Sequence, residues 1–217
     1  MSVMSYLLDL VFPPRCVFCR KFLKNSRGAV CPDCETNLPR TSSGGKQSGE
    51  FFKVCVAPLY YEGDVRESFH RFKFHDATGY AKTYGKYLAE CIDENLKGEY
   101  DIITWVPISR KRYKERGYDQ SMLIAQAAAI CLDDVAVSLL EKHIDVEKQS
   151  KIGSAEKRRA NISGAYRVAE PELVEGKRIL LIDDIITTGA TISECAKMLK
   201  MAGASEIVCA CIARSRD

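Results

Sequence analysis

Along the 217 residues, short unbroken apolar runs alternate with stretches of helical spacing. Residues 54–61 (VCVAPLYY), 101–107 (DIITWVP), 179–182 (ILLI) and 206–213 (EIVCACIA) have the length of strands and end at charge, glycine or proline. Unbroken apolar runs of that length mark strands buried on both faces, as in a parallel sheet. Pro58 points to an edge position or a bulge in the first of them. Between the runs, Asp64 and Thr78 are placed to cap helices, the second passing through Tyr84, Leu88 and Ile92. Leu123, Ile124, Ala127, Ala128 and Cys131 recur at helical spacing, and another helix begins near Ile192. Residues 3–12 predict a short amphipathic helix stopped by Pro13 and Pro14. Residues 135–147 suggest a strand leading into an excursion, from which residues 162–168 return. Strands alternating with helices predict a mainly parallel, doubly wound α/β sheet.

One run is followed by chemistry. After residues 179–182 come Asp183 and Asp184, two more apolar residues, then Thr187, Thr188, Gly189, Ala190 and Thr191. A strand feeding a glycine-containing turn and a helix aims several backbone N–H groups at one point, which favours a phosphate. Gly189 lets the backbone approach a ligand closely, and the threonine hydroxyls add donors. Paired carboxylates at a strand's end can accept from the two hydroxyls of a ribose. Together these residues indicate a ribose 5-phosphate group. An ordinary strand with a capped helix accounts for the apolar run and one threonine, but not for adjacent acids plus T-T-G-A-T. Neither G-x-x-x-x-G-K-[ST] nor G-x-G-x-x-G occurs.

The ten cysteines change the picture at the N-terminus. Cys16, Cys19, Cys31 and Cys34 form two C-x2-C knuckles, a spacing that closes a tetrahedral four-thiolate shell around structural Zn2+ and leaves no open position for catalysis. A redox C-x-x-C would need only one such pair. The other six, Cys55, Cys91, Cys131, Cys195, Cys209 and Cys211, sit in apolar or helical contexts and read as reduced core residues. The organisation expected is a zinc-binding module over residues 1–40, a flexible linker over 41–50 (TSSGGKQSGE) meeting both sides loosely, and the α/β domain over 51–217. With no basic leader and no apolar run of membrane length, a cytoplasmic protein without a membrane span is expected.

Net charge is only +3, too small to announce a nucleic-acid binder, but it is unevenly spread. Residues 110–116 (RKRYKER) and 148–159 each carry a net +4, leaving −5 elsewhere. The first lies after the 101–107 strand, hence as a loop at the carboxyl edge of the sheet, where Arg110, Arg112 and Arg116 suit bidentate contact with a pyrophosphate. The second, polar and basic from Gln149 through Lys157, Arg158 and Arg159, reads as a mobile loop able to close over a site. His70 and His75 lack a metal-binding spacing and read as solvated or core-edge residues.

The run ILLIDDIITTGAT is similar to the phosphoribosyl pyrophosphate (PRPP) motif of the type I phosphoribosyltransferases, in which paired acids hold the ribose hydroxyls and the threonine loop holds the 5-phosphate. Adding the four-cysteine module, Val106-Pro107 with Arg110, Arg116 to Gln120, Gln149, Arg158 to Asn161 and Gly164 to Tyr166, nearly the whole chain resembles the ComF family. Tyr118, Asp119 and Tyr166 depart from the residues most common there. The resemblance implies a type I phosphoribosyltransferase fold with a small N-terminal zinc-binding module. It implies PRPP with Mg2+ as ligand, Lys73 as a cation facing the pyrophosphate, and a cytoplasmic role in DNA uptake during competence. It defines no acceptor for phosphoribosyl (glycosyl) transfer. A different class of function is a single-stranded DNA-binding adaptor for the DNA-uptake machinery, with Phe18, Phe22, Tyr113 or Tyr118 stacking on bases.

Overall fold

A computed structural model describes residues 13–23, 28–74, 77–144 and 164–216. The helix expected at 3–12, His75, and the candidate contacts Gln149, Lys157, Arg158 and Arg159 lie outside the described residues. Six α-helices follow within them: α1 Pro32–Asn37, α2 Gly63–Phe74, α3 Tyr80–Leu96, α4 Arg110–Arg116, α5 Gln120–Cys131 and α6 Ala190–Met201. The strands are β1 Val54–Val56, β2 Leu59–Tyr60, β3 Ile102–Trp105, β4 Leu140–Lys142, β5 Tyr166–Val168, β6 Arg178–Ile186 and β7 Glu206–Arg214. No described helix is long and apolar enough to cross a membrane.

The main sheet is parallel, in the order β1, β7, β6, β3, with β2 also on β7. Pro58 interrupts the first strand without shifting it: Val56 faces Ala210 and Leu59 faces Ala213, one constant register. Proline has no N–H to donate, and the Ala57 N–H turns away to the Gly44 carbonyl. β6 lies between β3 and β7, with Ile179 through Ile182 fully buried. Alternate residues serve opposite faces, as the two-residue strand period requires. Leu180 and Ile182 join a core with Phe69, Tyr84, Leu88 and Ile124, and Ile179 and Leu181 join one with Ile192, Cys195 and Leu199. Helices therefore cover both sides, confirming the doubly wound class. α3 and α5 meet closely at Gly85, where a Cβ would stand 2.4 Å from the Ala127 Cβ. β4 and β5 form a separate antiparallel pair flanking residues 145–163.

Three expectations need correction. Residues 41–50, expected as a flexible linker, are hydrogen-bonded along β1. Gln47 and Cys55 exchange both backbone bonds (3.0 and 2.7 Å), and Thr41 donates its hydroxyl to the Ala57 carbonyl at 2.6 Å. The glycines permit the turn, with φ of 72° at Gly44 and 53° at Gly45, and the segment then covers an open sheet edge. The loose junction between modules is replaced by a packed one. Phe18, between the first two cysteines, is buried 6.2 Å from Tyr84 and 6.0 Å from Tyr87, ring to ring. Cys131, expected in the core, is exposed on the last turn of α5.

Candidate functional site

The carboxyl ends of the parallel strands open on one edge, and β6 delivers its acids there. Asp183 Oδ1 accepts from the Ser121 hydroxyl at 2.9 Å and from the Asp184 N–H at 2.8 Å. Burial, and then the charge of Asp184, push the Asp183 carboxyl up to about 7 despite those donors. Asp184 is met by Lys73 Nζ at 2.5 Å, so the lysine at the end of α2 does stand at the acid pair. Two adjacent, partly buried carboxylates are best relieved by hydrogen-bond donors and a cation, and Lys73 already supplies one.

The turn after β6 has the expected shape. Thr187 and Thr188 are exposed, Gly189 takes the left-handed conformation (φ 72°) as N-cap of α6, and Ala190 and Thr191 open the helix. A side chain at Gly189 would be strained by that backbone rather than by crowding, its Cβ meeting Ile186 at 3.6 Å and the Gln47 amide nitrogen at 3.7 Å. Gln47 is thus a neighbour of the loop that sequence reasoning missed.

The basic run is a short helix instead of a loop. The Ser109 hydroxyl caps it, accepting from Arg112 N–H at 3.3 Å, and Gly117 at φ 79° ends it, both signals present in the sequence. Helical geometry then divides the arginines. Arg116 is half-buried, donates to Gln120 Oε1 at 2.7 Å, lies 5.4 Å from the Phe74 ring centroid and feels the charge of Asp184. Burial and then the neighbouring Arg112 lower its pKa. Arg112, one turn earlier, is half-buried and acts electrostatically on Arg116 and Tyr166. Arg110 is exposed and interacts with Glu141 instead.

Asp119, unassigned in the sequence reading, organises this edge. Its two oxygens accept from the N–H groups of Ile108 (3.0 Å) and Met122 (3.1 Å), joining the loop after β3 to the start of α5. Its pKa is raised by burial against those bonds. The D-Q-S sequence before a helical run is the N-cap signal that would have found it.

At the other end, the Sγ atoms of Cys16, Cys19, Cys31 and Cys34 all lie within 4.8 Å of one another. A tetrahedral zinc–thiolate shell with bonds of about 2.3 Å puts its sulfurs about 3.8 Å apart, so the donor set fits. Backbone N–H groups already point at the sulfurs, Cys31 to Cys16 at 3.4 Å and Cys34 to Cys31 at 3.5 Å. Burial and the neighbouring sulfurs raise the Cys34 thiol steeply, the penalty a bound dication would offset. Among the described residues no other group of three or more such side chains converges, and His70 instead contacts the Phe74 ring at 4.9 Å. Of the aromatics proposed for base stacking, Phe18 and Tyr118 are buried, whereas Phe22 and Tyr113 are exposed.

Comparison with known proteins accounts for both ends. Residues 121–217 match the family model described as Phosphoribosyl transferase domain, and residues 7–58 match Double zinc ribbon domain. The chain is therefore a phosphoribosyltransferase-fold protein carrying a zinc ribbon, and the ribbon match runs through residues 41–50 into β1. It is 30% identical over 209 residues to the DNA utilization protein YhgH of Escherichia coli strain K12, covering 92% of this chain and 90% of that one. Competence protein F of Haemophilus influenzae is 25% identical (89% and 93% covered), and Competence protein ComFC of Bacillus subtilis 26% (85% and 77%). The chain belongs to this ComF family of competence and DNA-utilization proteins.

Proposed function

We propose that the carboxyl edge of the sheet binds PRPP with Mg2+ and that the protein serves a cytoplasmic step of DNA uptake. The observation that carries the ligand is the acid pair at the end of β6 with Lys73 on one acid and Arg116 close by. Asp183 and Asp184 take the ribose hydroxyls, and Thr187, Thr188, Gly189, Ala190 and Thr191 take the 5-phosphate. Lys73, Arg112 and Arg116 take the pyrophosphate, and Gln149, Lys157, Arg158 and Arg159, outside the described residues, are the further contacts expected from the sequence. Mg2+, held with the ligand beside Asp183 and Asp184, would offset charge on the leaving group. The reaction supported is displacement of pyrophosphate at the anomeric carbon, by an acceptor these residues do not define. The competence and DNA-utilization names of the relatives support the cellular role.

Calorimetric titration of the zinc-loaded protein with PRPP and Mg2+ tests the ligand. Binding that Asp183→Ala with Asp184→Ala abolishes, in a protein that still folds, supports the pocket; binding that survives the pair sinks the ribose assignment.

A second reading has its own observation. On the outer side of α4, Arg110, Lys111, Lys114 and Glu115 line a depression of about 430 Å³, beside exposed Tyr113. A single-stranded nucleic acid would find phosphate contacts and one stacking ring there. Its binding should fall log-linearly with salt, whereas PRPP held by backbone N–H groups and a few partly buried cations should respond less.

A further inference from the structure

α2 touches both ends of the molecule. Near its middle, the Ser68 hydroxyl donates to the Val17 carbonyl at 2.8 Å, and Arg71 Nη2 donates to the carbonyls of Val17 at 3.0 Å and Phe18 at 2.5 Å. Both acceptors lie inside the first zinc knuckle, between Cys16 and Cys19. Two residues beyond Arg71, Lys73 meets Asp184. Between them, the Phe72 carbonyl accepts from the Tyr118 hydroxyl, which ties the same turn to the start of α5. Phe69 and Phe72 are fully buried, with Phe69 stacked on Tyr84 at 4.6 Å, so the helix cannot shift at one end without repacking the other.

Arg71 also carries a burden that packing alone does not explain: its Nε is buried without a hydrogen-bond partner. An apolar side chain would fill the position with no such penalty. What an arginine supplies and an apolar residue cannot is a planar donor group reaching two successive carbonyls of a turn.

We propose that Arg71 is a positioning residue, through which the zinc knuckle fixes the last turn of α2 and thereby places Lys73 in the acid pair. This rests on the PRPP reading of that pair. The zinc module is then part of the ligand site's construction, and occupancy of the two sites is linked in both directions: what weakens the knuckle weakens PRPP binding, and PRPP tightens zinc binding.

The test is a double-mutant cycle on the zinc-loaded protein, with PRPP and Mg2+ titrated calorimetrically into the unaltered chain, Arg71→Met, Lys73→Ala and the double variant. Arg71→Met should weaken binding about ten-fold in the unaltered background and less than about two-fold once Lys73 is gone. Arg71→Lys, which keeps the charge but not the fork, should fall between them. Losses that simply add would overturn the proposal. If the unaltered chain binds no PRPP, the functional reading fails separately, and amide hydrogen exchange decides the inference. Arg71→Met must then speed exchange in residues 70–74 while α5 stays protected, and unchanged exchange there refutes the strut.

Discussion

The zinc module and the turn after β6 are both built on tight backbone turns, yet they are finished to different degrees. In the zinc module the N–H groups of Cys31 and Cys34 reach sulfur, the carbonyls of Val17 and Phe18 are taken by Arg71, and the Val17 and Phe18 side chains are buried. After β6 the threonines face solvent, the glycine is held at positive φ, and Asp183 sits where burial and Asp184 both oppose its charge. One turn is packed for stability. On the proposed function, the other keeps charge and donors for a ligand, at a cost in stability.

The contrast breaks most visibly at the knuckle. Changing Cys16 and Cys31 to Ser should release about one zinc per chain and lower the melting temperature of the whole protein, because Phe18 belongs to the core with Tyr84 and Tyr87. Phe18→Ala alone should destabilise by about 3–5 kcal/mol, measured by denaturant unfolding. A zinc-free protein with unchanged melting would show the module to be merely attached.

The arginines of α4 sharpen the functional half. Arg116→Ala should weaken PRPP binding by about ten-fold or more and ribose 5-phosphate far less. Arg112→Ala should act in the same direction, and Arg110→Ala should leave both within about two-fold. Equal losses for the two ligands would move the pyrophosphate elsewhere.

How much of this was legible beforehand follows from the range of the contacts. The β6 motif and the cysteine spacing are local, so strand, acids, loop and metal shell could all be read from consecutive residues. The helix of α4 was legible too, through Ser109 and Gly117, but six charges in seven residues read as a loop at the carboxyl edge of the sheet. Arg71 on Val17, Gln47 beside Gly189 and Phe18 under Tyr84 join residues 54, 142 and 66 positions apart, and no periodicity records such pairings. Residues 41–50 misled because their composition suits both a flexible chain and a pinned turn. The partner strand decides between them.

The acid pair itself should show a pH dependence. Because the folded Asp183 titrates at about 7 and an unfolded one near the ordinary 3.8, the folded state holds the proton more tightly. Its contribution to stability therefore declines as pH rises through that window and levels off above about 7. Asp183→Asn, compared with the unaltered chain at each pH from about 5 to about 8 by thermal melting (a range set about the folded titration point), should show a gap that widens and then stays constant. A constant gap across the whole range would remove the buried-charge account.

The same variant gives the most direct test of the central claim, that the acid pair opposes folding but serves the ligand. Zinc-loaded protein and its Asp183→Asn variant are melted near pH 8 with and without PRPP and Mg2+. Asparagine can keep the bonds from the Ser121 hydroxyl and the Asp184 N–H, so without ligand the variant should melt higher, and only the unaltered protein should gain stability when PRPP is added. A variant that melts lower on its own, or that PRPP stabilises just as much, would contradict the account.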